Sequence, residues 1–386
     1  MTKRRKPLFL IILYSFSALC LTAVAILFIT NQTIPKTSRQ PETLSENQLT
    51  LLKEADHLIS SVGNRVFPGW SENSTGWVVY NESTAFAVGI QEPTTEGWIM
   101  YPRNSQRGGK WQSREYEGII IYQTDILDPE KTPENFIVKI GDQIAASFQT
   151  HEYALIYFHN LMYAELPPVI REVFPYKIFF HHLTLAPEAY ISTLSHEAFH
   201  VFQAKQNPTM FEKAELIANW ENQYPFEDET LLTTWKEELK ILQQAAEIST
   251  REDAIRIAEE FLQIREQRRH EAKLSESLID YERKREWLEG MAKYAELEIG
   301  KIAAESDYQP LPQANEKLGL KNYNSRKQFW KTQLTSMANT KMDGETLFYY
   351  SGFAQGVLLD HLMPGWKERV IQGEYLEDLI SETIKN

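Results

Sequence analysis

The chain has 386 residues, 42% of them hydrophobic and 12% aromatic, enough apolar material for a packed core and incompatible with general disorder. A net charge of −13 argues against nucleic acid as a partner, because phosphates demand a basic face. The one cysteine, Cys20, lies in an apolar run, which leaves the rest of the chain without a disulfide, a zinc–cysteine site or a thiol nucleophile.

Residues 7–30 are uncharged and almost wholly apolar, and they follow the basic cluster Lys3-Arg4-Arg5-Lys6. At about 1.5 Å per residue such a run crosses a hydrocarbon core with some tilt. The basic cluster predicts a cytoplasmic N-terminus with the remainder outside, a single-pass cell-membrane protein. The alternative is a cleaved signal peptide and secretion. Ala23-Val24-Ala25 has the small-x-small form, but cutting there would leave Ile26-Leu27-Phe28-Ile29 as a greasy new terminus.

Residues 31–47 are polar and rich in Pro, Ser and Thr, the composition of a tether. A short amphipathic helix is expected over 49–62. Candidate strands follow at Gly76–Tyr80, 85–89, 98–101, 118–122 and Phe136–Ile140, with Gly108-Gly109 and Asp128-Pro129 as loop signals. A helix over 153–166 ends at Pro167-Pro168, and the apolar stretch 176–180 reads as a further, edge strand. Beyond it the pattern turns helical. One helix is expected over 231–247, and Ser249-Thr250-Arg251-Glu252 resembles a capping box opening a charged helix to 269. The alternating Glu and Arg of this pair predict a solvated face. The expected fold class is α+β: a β-rich N-terminal lobe (48–186), a helical lobe (187–386) and a cleft between them.

The most informative stretch is Leu194-Ser195-His196-Glu197-Ala198-Phe199-His200-Val201-Phe202-Gln203. On a helix, His196 and His200 lie one turn apart on one face, so both imidazoles aim at a single point with Glu197 beside them. Two neutral imidazoles suit Zn²⁺, and the carboxylate can take a proton from a zinc-bound water. Pro187 fits a first helical turn and Asn207-Pro208 a stop. The bland alternative is an ordinary amphipathic helix with a chance match.

A two-histidine zinc site needs a third protein ligand and an open position. The segment Arg285-Glu286-Trp287-Leu288-Glu289-Gly290-Met291-Ala292 offers Glu289. Gly290 and Ala292 are small, which would let this helix approach the His-Glu-x-x-His helix closely. Glu282, Glu286, Glu296 and Glu298 crowd the same stretch, so periodicity leaves the choice open.

His-Glu-x-x-His followed far downstream by Trp287-Leu288-Glu289-Gly290-Met291-Ala292-Lys293-Tyr294 resembles the gluzincin zinc metallopeptidases, the group of thermolysin and the membrane aminopeptidases. In the aminopeptidase branch the segment commonly reads Trp-Leu-Asn-Glu-Gly-Phe-Ala, and its zinc ligand is the glutamate before glycine. The resemblance therefore implies Glu289, in a zincin-like fold with a long helical insertion, 231–269, after the first two ligands. Tyr349-Tyr350-Ser351-Gly352-Phe353-Ala354 is similar to the family's Tyr-x-x-Gly-Phe-Ala, whose first tyrosine hydrogen-bonds the oxyanion. That implies the same role for Tyr349. Without the resemblance, Tyr349 and Tyr350 read as core or groove aromatics, with His361 on the same helix as the alternative donor. The family's Gly-x-Met-Glu-Asn strand, which holds a substrate amine, is not found. A peptide or protein substrate could instead lie along 176–180 by strand addition, with His181 and His182 after it facing the cleft. The expected activity is zinc-dependent peptide-bond hydrolysis. The competing expectation is a zincin-fold binding or sensor protein that lacks catalysis.

Overall fold

The computed structural model describes residues 6–38, 44–116, 118–126, 136–180, 186–339 and 344–385. The fold is mixed α+β, with one curled sheet packed against a larger set of helices.

The apolar run forms helix α1 (Lys6–Gln32), long and apolar enough to cross a membrane, a test that a signal sequence would also pass. The residues after it are held to the domain. Ile34 and Leu44 are buried, and the Ser38 backbone N–H donates to Glu82 at 2.7 Å. Helix α2 (Glu46–Val66) starts on Ser45, whose hydroxyl accepts from the Gln48 N–H, and its apolar stripe is sunk in the core.

The strands are β1 (Gly76–Tyr80), β2 (Thr84–Val88), β3 (Trp98–Met100), β4 (Gln106–Arg107), β5 (Gln112–Tyr116), β6 (Ile119–Asp125), β7 (Phe136–Ile140) and β8 (Gln143–Gln149). Among the described residues they form one sheet in the order β4-β3-β7-β8-β1-β2-β6-β5. All pairs are antiparallel except β1 with β8. Side chains alternate between two cores, as the period of 2 requires. Trp77, Val79, Phe86, Ile137, Ala146 and Phe148 face the helices. Val78, Tyr80, Ala85, Ala87, Val138 and Ala145 form a smaller cluster with Trp98 on the other side. Strands β4, β5 and β8 are not among the expected ones: β4 is a two-residue pairing beside the Gly108-Gly109 loop signal, and the other two lack an alternating apolar pattern. Strand β5 is a polar, exposed edge, and β8 is centred on small Ala and Ser residues that carry little alternating signal.

After α3 (His151–Glu165) come two single turns, α4 (Pro168–Arg171) and α5 (Tyr176–Phe179). The last overturns the strand expected at 176–180. In a strand, Tyr176, Ile178 and Phe180 would share a face. Here Tyr176 and Phe180 are buried while Ile178 is 59% exposed. No peptide can add to an edge at that position. His181 and His182 lie outside the described residues, as does the loop signal Asp128-Pro129.

The helical part comprises α6 (Pro187–Gln206), α7 (Pro208–Leu216), α8 (Glu229–Leu242), α9 (Arg251–Glu271), α10 (Glu276–Arg285), α11 (Met291–Glu305), α12 (Pro312–Leu318), α13 (Asn324–Ser336), α14 (Thr346–Leu362), α15 (Trp366–Ile371) and α16 (Leu376–Lys385). The stretch read as one helix over 231–247 is α8 followed by a 3₁₀ turn, Gln243–Glu247. Helix α9 is capped one residue later than its sequence suggested, by Thr250, which accepts from the Asp253 N–H at 3.1 Å. A π turn, Glu286–Gly290, joins α10 to α11 without a break. The same apolar core contains residues of α2, α6, α11, α14 and the sheet.

The largest departure concerns the charged helices. The Glu/Arg pattern of α8 and α9 does not make a solvated face throughout, because Arg265 and Arg268 are each 1% exposed. Arg265 donates to Glu238, Glu286, Glu377 and Ser351. Arg268 joins Glu238 to Glu282 and lies 3.7 Å from the Trp235 ring centroid. Both Glu238 and Glu282 are fully buried, so charge is neutralised inside the bundle, where an unpaired ion would cost several kcal/mol, about 3–5 when a partner is removed.

This network makes stability sensitive to acid. Burial alone would raise the Glu377 pKa, but Arg265 and Arg269 hold it at about 2. Arg268 and Arg269 depress Glu282 in the same sense against a similar burial effect. With folded-state values below the ordinary 4.5, the unfolded chain binds more protons, so the stabilisation is complete above that value and fades as pH falls towards about 2. Urea unfolding at a series of pH values should show this loss, and Glu377→Gln should flatten the slope.

Candidate metal centre

Helix α6 begins with Pro187 at its first position and runs through the middle of the core, flanked by Ile191, Leu194, Phe199 and Phe202, all at most 1% exposed. Its one polar strip carries His196, Glu197, His200 and Gln203. The strip faces the π turn of α10–α11 and the start of α14. Glu289 sits in that π turn, a distortion that often occurs at functional sites.

Three donor atoms converge. His196 Nε2 is 3.2 Å from His200 Nε2, and Glu289 Oε2 lies 3.4 Å from the first and 3.3 Å from the second. A tetrahedral ion with bonds of about 2.0–2.1 Å sets its ligand atoms about 3.3–3.4 Å apart. The three spacings therefore fit one metal ion held by these three donors. The same group is the one set among the described residues in which three His, Cys, Asp or Glu donors could hold an ion. All three side chains are buried.

Neighbouring groups fix which atoms face the common point. Gln203 Oε1 lies 2.8 Å from His200 Nδ1, which makes Nδ1 the protonated nitrogen and leaves the Nε2 lone pair inward. The Gln203 amide is itself held by the Trp287 carbonyl at 2.8 Å. Glu296 Oε2 is 3.3 Å from His196 Nδ1, an ion-pair distance without hydrogen-bond alignment. Arg285 donates to Glu289 Oε1 at 2.9 Å, so only Oε2 is turned to the imidazoles. Arg285 is anchored in turn by Glu345, which accepts from Tyr281 as well.

The charges are consistent with a cation-binding point. Burial opposes ionisation of Glu289, yet His200 and Arg285 hold its carboxyl well below the usual range. Burial likewise works against the His196 imidazolium, but Glu289 and Glu296 outweigh it and lift the pKa to about 10. Glu197 differs from the other acids. Burial pushes its pKa up, and the two imidazoles only partly offset this; its carboxylate makes no hydrogen bond or ion pair among the described residues.

Tyr349 stacks on His196, with ring centroids 5.8 Å apart and planes 8° from parallel. Burial and the Glu289 carboxylate keep its phenol protonated well above the usual range. Tyr350 points elsewhere and donates to Gln333 at 3.0 Å. His361 is exposed on the last turn of α14, about 18 Å along the helix from Tyr349, and is not brought to the site. His181 lies outside the described residues.

Gly290 packs against a different helix from the one its sequence suggested. Its close neighbour is Gly352 of α14, not α6. A Cβ on Gly290 would lie 2.5 Å from the Gly352 Cα and 3.0 Å from the Phe348 carbonyl oxygen. This backbone contact helps set the separation of Glu289, next to Gly290, and Tyr349, which follows Phe348 one turn before Gly352. Gly290→Ala should force the helices apart, lowering stability by about 1–3 kcal/mol. Metal affinity should fall with it, as thermal unfolding and a competitive chelator titration would record.

Gln203, Arg285 and Glu296, on α6, α10 and α11, and Glu345, just before α14, complete the site; no motif in the sequence marks their roles. No family model, curated protein or solved structure matches the chain.

Proposed function

We propose that the chain is a membrane-anchored, extracytoplasmic zinc metallopeptidase, with α1 as an uncleaved anchor and a cytoplasmic N-terminus. The observation that carries this is the near-equal 3.2–3.4 Å spacing of the His196, His200 and Glu289 donor atoms, with the uncommitted Glu197 carboxylate beside them. Two imidazoles and a carboxylate with an open position form the donor set of a catalytic zinc site. The order of the motifs along the chain, and their resemblance to gluzincins, agree with it.

The chemistry such an ion supplies is Lewis acidity, which makes water a nucleophile near neutral pH and polarises a carbonyl. Glu197 takes the proton from the attacking water and passes it to the leaving amine. Gln203 and Arg285 hold His200 and Glu289 in their ligand orientations throughout. Tyr349 donates its phenolic proton in a hydrogen bond to the oxyanion that develops on the substrate carbonyl. Tyr349→Phe should lower kcat by about 10²–10³-fold with little change in KM, a split that steady-state assays on a cleaved peptide would resolve.

The depth of the site favours one other reading. His196, Glu197, His200 and Glu289 are 5–8% exposed, which also suits a closed metal site in a binding or sensor protein. Two measurements on the full chain in lipid nanodiscs separate the readings. Elemental analysis should find one zinc per chain, and a peptide-library digest should show cleavage that a chelator abolishes and zinc restores. Stoichiometric metal without cleavage would support the sensor, and a chain without bound metal would refute both.

A further inference from the structure

Outside α1, the large apolar side chains exposed among the described residues are few, and they are not scattered. Of the seven, five are Tyr157, Leu161, Val169, Ile170 and Ile178, with exposures of 48–84%. They lie on α3, α4 and α5, within 22 residues of sequence. Isolated exposed apolar residues are normal, whereas a cluster marks a surface that meets something apolar.

The location of the cluster identifies the partner. Helix α5 packs on α1. Asn31, in the last turn of α1, donates to the Glu172 and Phe174 carbonyls at 3.0 and 2.9 Å, and Lys177 Nζ reaches Thr33 Oγ1 at 2.6 Å. The patch is thus tied to the point at which a spanning α1 would leave the hydrocarbon. Basic residues accompany it: Lys36 follows α1, and Arg171 and Lys177 lie on α4 and α5, side chains of the kind that meets lipid phosphates. Lys36 and Arg171 also line a cavity of about 460 Å³ with Asn31, His159, Tyr163 and Tyr176. The fully buried Tyr176 hydroxyl has no hydrogen-bond partner there, which suits a polar headgroup more than an acyl chain.

We propose that the α3–α5 face is an interfacial membrane-binding surface, embedded in the leaflet into which α1 emerges. Val169, Ile170 and Ile178 enter the acyl boundary, while Arg171 and Lys177 meet the headgroups. The domain then lies on the bilayer at a fixed orientation instead of swinging on its anchor. The inference rests on α1 spanning the membrane, and the experiment tests the two separately.

The full chain is reconstituted in phosphatidylcholine–phosphatidylglycerol vesicles containing phosphatidylcholine with a spin label on its acyl chain, and an environment-sensitive fluorophore is placed at one cysteine at a time. Native Cys20 reports on α1. Val169→Cys and Ile178→Cys, each in a Cys20→Ser background, report on the patch, and Lys236→Cys on exposed α8 is the control. All three introduced sites are exposed, so folding is not at stake. Quenching severalfold above the control is expected at 20, 169 and 178. Quenching at 20 with control values at 169 and 178 would overturn the interfacial surface and leave the anchor intact. Control values at 20 would overturn the anchor, and this inference with it.

Discussion

Glu197→Gln is expected to keep one zinc per chain and lower peptide hydrolysis by about 10³-fold, within the 10²–10⁴ range for removal of a general base. Glutamine has nearly the same shape, and the Glu197 carboxylate makes no ion pair among the described residues, so nothing that orients the ligands is disturbed. His200→Ala is the contrasting variant. It removes a donor 3.2–3.3 Å from the other two and should lose zinc and activity together. Elemental analysis of both proteins, beside an assay on a cleaved peptide, distinguishes the roles. A Glu197→Gln protein without metal would contradict the division between base and ligand, and one that retains full turnover would remove Glu197 from the reaction.

Arg265→Met should be the most damaging single change away from the metal centre. The guanidinium satisfies Glu238, Glu286 and Glu377 at once, and its removal leaves carboxylates with 0–11% exposed side chains short of a counter-charge. Breaking such a buried pair costs about 3–5 kcal/mol, a large part of a typical domain's margin. Arg256 on the same helix supplies the comparison. Its pair with Glu260 is exposed on both sides, and Arg256→Met should stay within about 0.5 kcal/mol. Thermal unfolding of both proteins in the same detergent tests the difference. Equal shifts would mean that the buried network contributes no more than a surface ion pair.

What could be seen in advance follows from which forces leave a local imprint. The His196/His200 pairing was visible because a four-residue spacing on a helix fixes where two side chains point. The bracketing residues Pro187 and Asn207 were visible because proline and caps act on their own neighbours. Glu289 needed a resemblance, since five acids on one stretch present the same periodicity and only the partner helix selects among them. The stretch at 176–180 misleads because so short a run, four apolar residues and Lys177, fits either period, and the choice is made by the tertiary burial of Tyr176 and Phe180. The burial of Arg265 and Arg268 departs from the solvated face that alternating Glu and Arg predict for a related reason. Whether a charge faces water depends on residues such as Glu282 and Glu377, which lie elsewhere in the chain.

The π turn at Glu286–Gly290 has a wider consequence for the long helix that contains it. One surplus residue in a helical turn rotates everything downstream by roughly 100° relative to everything upstream. The segment is thus two rods of different phase fused end to end. The first is rotated so that Glu282 and Arg285 meet the arginines and acids of the bundle, and the second so that Glu296 meets α6. An unbroken α-helix with this sequence would have to give up one of those two alignments.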